Sequence, residues 1–160
     1  MPGGKVAIYS GILPVTQNES GLSTVMGHEI AHAIAQHAAE RYSQMTLAQA
    51  GEGILGAAVG GASQGTQQII GQLYGIGGQL AILKYSRNQE SEADRLGIIF
   101  MAMAGYNPDY AVTFWERMAS AKSSNGQSPE FLSSHPSDET RIAAIMKLLP
   151  EARQYYKGAK

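Results

Sequence analysis

"VMGHEIAHAIAQH", Val25 to His37, gathers three histidines and a glutamate into a run otherwise built of small and apolar residues. Small residues favour a helix, and on a helix two positions four apart differ by only about 40° of azimuth. His28 and His32 therefore present their imidazoles in one direction, as a tetrahedral metal such as zinc requires of two nitrogen ligands. Glu29 sits on the adjoining edge, where a carboxylate can take a proton from a water in the same site. His37 lies five residues past His32, about 140° further round, and is expected at the surface or supporting a ligand rather than binding. The longer pattern H-E-x-x-H-x-x-G-x-x-H fails at Ala35 and Ala38, which excludes a third histidine ligand from the same helix.

The chain around this segment is suited to a folded domain. It has 160 residues, 44% hydrophobic and 16% charged, enough for one domain with a core. Twelve basic residues against thirteen acidic ones leave a net charge of -1, which argues against nucleic acid as a partner. There is no cysteine, so disulfides, a thiolate nucleophile and cysteine-based zinc sites are excluded, and any metal must rest on histidines and carboxylates. The start, "MPGGKVAIYSGILPVT", has no basic segment followed by an apolar stretch of the kind a secretory leader carries. "GILGAAVGGA" and "IIGQLYGIGGQLAIL" are too short or too polar for a spanning helix.

Along the chain, Lys5 to Ser10 ("KVAIYS") alternates after Pro2-Gly3-Gly4 and reads as one strand, with its partners expected in segments preceding this sequence. Thr16 to Glu19 ("TQNE") matches a capping box, predicting a helix from Gln17 towards Gln49. The glycine-dense stretch from Ala50 reads as a connection that becomes helical near Gln67. Further helices are expected up to Gly105, after Asn107-Pro108, and from Pro136, the last preceded by the turn-rich "KSSNGQSPEFLSS". Phe114 and Trp115 read as core packing. The expected fold class is α+β and mainly α-helical, with a small β element at the N-terminus, in a single domain over residues 1–160.

A third protein ligand is expected to be a carboxylate, and two acids compete. Glu52 follows His32 by twenty residues and Glu90 by fifty-eight. In "ESEAD", Glu90 and Asp94 share a helix face, so Glu90 can reach a metal while Asp94 hydrogen-bonds a ligand histidine. Glu92 faces about 160° away from Glu90, towards solvent or a salt bridge. Spacing alone leaves the ligand pair and an ordinary charged helix face evenly matched.

Four ordered segments, "GHEIAHAIAQHAAER", "YSRNQESEADRLG", "AGYNPDYAVTFWERM" and "SHPSDETRI", resemble the HtpX/BepA/Oma-type zinc metallopeptidases, family forty-eight of metallopeptidases, which also contains the CAAX prenyl proteases. The resemblance covers essentially the whole chain. It implies a zincin-like domain with one Zn2+ per chain held by His28, His32 and Glu90, and Asp94 in support. It implies a zinc endopeptidase with Glu29 as general base, acting on unfolded or misassembled polypeptides. The bacterial periplasm or outer membrane is the implied setting, with membrane-associated or assembly partners. It also implies that His135 lies near the zinc, either donating to a developing oxyanion or latching the metal as a fourth ligand, and the latch is the role expected here. Arg141 is expected to anchor that segment through a carboxylate near the ligand helix. The competing class is a chaperone-like or assembly module with latent or absent proteolysis, in which the metal would be closed off by a fourth protein ligand.

Overall fold

Asn18 opens the helix that carries the histidine motif. In the computed structural model, which describes residues 5–124 and 139–158 and side chains outside 80–85 and 122–124, the Asn18 Oδ1 accepts from the backbone N–H of Gly21 at 2.9 Å. Glu19 stands in the first turn, where a negative charge favours the helix dipole. The expected capping box is displaced: Thr16 ends the preceding short helix instead, its hydroxyl donating to the Leu13 carbonyl at 2.9 Å.

The chain then runs through helices α1 (Leu13–Thr16), α2 (Glu19–Ile34), α3 (His37–Ala58), α4 (Gln64–Met103), α5 (Tyr110–Ser124) and α6 (Glu139–Arg153), after a 3-10 turn at Ser10–Ile12. No strand occurs among the described residues, and the expected β element at Lys5 to Ser10 does not form in this chain alone. A strand must pair its backbone with a neighbour, and no described segment supplies one. Lys5 to Tyr9 is irregular, and its Ile8 packs half-buried against the core.

The single helix expected from Gln17 towards Gln49 is broken in two. Gln36 adopts left-handed φ 57, ψ 28, ending α2 and starting α3. The glycine-dense stretch expected to be a connection is instead helical up to Ala58 and again from Gln64. Gly105, at φ 92, follows the end of α4 as expected.

The described chain divides into two compact units, one of residues 1–35 and 90–160, the other of 36–89. In the first, Ala111, Phe114, Trp115 and Met118 form one stripe of α5 at helical spacing, packed with Val25 of α2, Ile98 and Met101 of α4, and Ile145 and Ala152 of α6. Arg117 ties α5 to the end of α1 by donating from Nε to the Val15 carbonyl at 2.9 Å. The second unit comprises α3 and the first part of α4. Tyr74 donates to the Ala48 carbonyl at 3.0 Å, and Gln89, buried, donates from Nε2 to the His37 carbonyl at 3.2 Å and to Glu40 Oε2 at 3.1 Å.

Candidate metal centre

The site grows out of the core stripes of the first unit. On α2 the buried positions include Gly21, Thr24, Val25, His28 and Ala31, and on α4 they include Glu90, Asp94, Ile98 and Met101. On α6 they are Arg141, Ile145, Leu149 and Ala152. On α4 and α6 the polar residues thus occupy one end of the apolar stripe, whereas on α2 His28 lies between Val25 and Ala31, and helical spacing turns them inward with their apolar neighbours.

Two glycines, which the sequence reading did not single out, bring α2 and α4 into backbone contact. A Cβ placed on Gly27 would meet the Gly97 carbonyl oxygen at 2.5 Å, and one placed on Gly97 would meet the His28 nitrogen at 2.8 Å. Real Cβ atoms do not come so close, so only glycine at both positions lets the helices approach this far. Both lie on faces that also carry the site: Gly27 precedes His28, and Gly97 stands less than one turn beyond Asp94.

Around that crossing, His28 Nε2 lies 3.0 Å from His32 Nε2 and 3.4 Å from Glu90 Oε2, and His32 Nε2 lies 3.3 Å from Glu90 Oε1. These three residues form a group able to hold a metal ion. The spacing fits zinc: ligand atoms about 2.0–2.1 Å from a tetrahedral centre stand roughly 3.3–3.4 Å from one another. Two imidazole nitrogens and a carboxylate also match its preferred donors.

Asp94 and Arg141 hold His28 from behind. His28 Nδ1 lies 3.0 Å from Asp94 Oδ1, and Arg141 forks onto the same carboxylate, Nε to Oδ2 at 2.8 Å and a terminal nitrogen to Oδ1 at 2.6 Å. Burial pushes the Asp94 carboxyl up, but the hydrogen bond from His28 and the charge and hydrogen bonds of Arg141 outweigh it and hold it below the usual carboxylate value. An ionised carboxylate only accepts, so His28 donates to it from Nδ1–H, and Nε2 is the ring nitrogen turned towards His32 and Glu90. The carboxylate that anchors Arg141, which the sequence left unnamed, is Asp94, with Glu90 Oε2 3.4 Å from the other terminal nitrogen.

Glu29 follows His28 on α2 and is half-buried, whereas Glu52 on α3 and Glu92 on α4 are exposed. His37, expected at the surface or in support, is buried at 2% exposure and is not a member of the group of three. It is the first residue of α3, after the left-handed Gln36, and its carbonyl accepts from Gln89 Nε2 at 3.2 Å within the second unit. His135 and Pro136 lie outside the described residues.

Comparison with known proteins places the chain among peptidases. The model of Peptidase family M48 matches residues 1–149. The mitochondrial metalloendopeptidase OMA1 of Schizosaccharomyces pombe is 38% identical over 159 residues, covering 96% of this chain and 43% of the relative. The mitochondrial metalloendopeptidase OMA1 of Bos taurus is 34% identical over 157 residues, covering 95% and 30%. The beta-barrel assembly-enhancing protease of Escherichia coli K12 is 31% identical over 147 residues, covering 88% and 30%. The chain therefore spans less than half the length of these relatives. No solved structure matches it.

Proposed function

The chain belongs to Peptidase family M48, and on that premise we propose that it is the catalytic part of a zinc-dependent endopeptidase in which His28, His32 and Glu90 hold the metal. The carrying observation is the convergence of two imidazole nitrogens and a carboxylate at 3.0 to 3.4 Å, a donor set able to hold one ion. Zinc held there supplies Lewis acidity towards a scissile carbonyl and lowers the pKa of water. Glu29 receives the proton of the attacking water and passes it to the leaving amine. Asp94 fixes the His28 ring and its tautomer, and Arg141 fixes Asp94.

The match to a peptidase family and the relatives named as metalloendopeptidases favour a catalytic site over a closed structural one. Glu29→Gln removes the proton carrier and no ligand. It is expected to retain zinc while lowering hydrolysis of unfolded casein by about a hundredfold or more, the span over which general acid–base groups act. Residual turnover near wild type would end this reading. The substrate class we propose is unfolded or misassembled polypeptide, supported by two relatives named as metalloendopeptidases and one as a beta-barrel assembly-enhancing protease.

We place His135 as a latch that occupies the metal's remaining position until substrate arrives. His135→Ala then raises the rate on casein, and a large loss with zinc retained would assign it to the oxyanion instead. The proposed setting, periplasmic or outer-membrane-associated, is tested by cell fractionation. The OMA1 relatives are named mitochondrial, and no helix among the described residues is long and apolar enough to cross a membrane.

A further inference from the structure

Trp115 is the only tryptophan in the chain and is 2% exposed, on the α5 stripe that forms the core. Its ring does more than fill volume. The guanidinium carbon of Arg141 stands 3.6 Å from the ring centroid, a face-on cation–π contact inside the protein. The His28 ring meets the same indole edge-on, centroids 6.2 Å apart.

The position of Arg141 makes this contact matter, because among the described residues two carboxylates lie within reach of the guanidinium. It forks onto Asp94 at 2.8 and 2.6 Å, while its remaining nitrogen lies 3.4 Å from Glu90 Oε2. A fork turned towards Glu90 would draw that carboxylate away from the histidines and leave Asp94 unable to hold His28. The guanidinium plane is the variable that separates the two arrangements, and a ring stacked on that plane restricts it. We propose that Trp115 is a positioning residue for the metal centre: by stacking on Arg141 it commits the guanidinium to Asp94 and keeps Glu90 for the ion.

This inference rests on the reading that His28, His32 and Glu90 bind zinc, and the test separates the two. Zinc affinity of the 160-residue chain is measured by competition with a chromophoric chelator. It is compared for wild type, His32→Ala, Trp115→Met, Trp115→Phe and Met118→Ala, with thermal unfolding of each metal-free protein. Undiminished binding in His32→Ala would remove the underlying metal reading, whatever the tryptophan variants do. With that binding lost, Trp115→Met is expected to weaken zinc by about tenfold, within the range for residues that support ligands, and Trp115→Phe to restore most of it by returning an aromatic face. Met118→Ala empties the same core and is expected to lower Tm with zinc affinity kept. Wild-type affinity in Trp115→Met, or an equal loss in Met118→Ala, would overturn the proposal. A measurement needing no variant guards against misfolding: zinc added to the metal-free wild type should change the emission of Trp115. An unchanged spectrum with zinc bound would equally overturn it.

Discussion

Glu90 and Glu52 carry the same carboxylate, and only their surroundings separate them. Glu90 is 9% exposed and lies 3.3 Å from His32 and 3.4 Å from His28, whereas Glu52 is exposed on α3. Glu90→Ala is therefore expected to lower bound zinc several-fold or more, and Glu52→Ala to leave it at the wild-type level, as read by elemental analysis of the purified proteins. The reverse result would move the third ligand to Glu52. At this scale the sequence was informative where chemistry and spacing coincide, because four residues of a helix fix how His28 and His32 point. It was silent where the chain must fold to bring groups together. The shared face of Glu90 and Asp94 is the one local sign of an acid that meets His28 and His32 from fifty-eight residues away, and nothing local marks Arg141 as the partner of Asp94 and Trp115.

Helix ends and crossings were the least legible features, for reasons that differ. The α2–α3 bend falls at Ala35-Gln36, where neither glycine nor proline signals a break, and Gln36 holds a left-handed conformation that costs a non-glycine residue on the order of 1 kcal/mol. The opposite error occurred in the glycine-dense stretch, where weak helix propensity suggested a connection and the chain is helical. Glycines on α4 serve two purposes that composition cannot separate. A Cβ at Gly71 meets nothing within 4 Å, whereas one at Gly97 would meet the backbone of His28 at 2.8 Å. The same substitution should then have opposite signs on one helix. Gly71→Ala is expected to stabilise by about 0.5–1 kcal/mol through helix propensity. Gly97→Ala should destabilise by about 1–3 kcal/mol through overpacking and weaken zinc binding, since α4 must move off α2. Denaturant unfolding and chelator competition read both. Equal effects at the two positions would show that the Gly27–Gly97 contact does not set the spacing of the site.

The division of the molecule into two units has only a partial counterpart in the sequence, because the boundary at Gln89 falls inside α4, a few residues past the end of a charge-poor run. From Tyr42 to Leu83 the only Asp, Glu, Lys or Arg is Glu52, and Leu47, Ile54 and Leu73 are 71%, 72% and 66% exposed. The first unit contains the donor group, from α2 and α4, and Arg141, from α6. A bound ion therefore links elements of that unit alone. Binding to the folded form at a thousandfold excess over Kd stabilises by about 4.1 kcal/mol, and that stabilisation belongs to the conformations that keep the ligands together. Opening of 36–89 separates none of the three donors, so its equilibrium should not respond to the ion. Hydrogen exchange with zinc and with chelator is the measurement that decides this. Protection is expected to fall on chelation in Glu19–Ile34, in residues 90–103, in Tyr110–Ser124 and in Glu139–Arg153, and to stay unchanged in 36–89. An equal fall in 36–89 would mean that the two units open together and that the metal stabilises the whole chain. Protection unchanged everywhere, with zinc bound, would mean that the ion is held by residues other than these three.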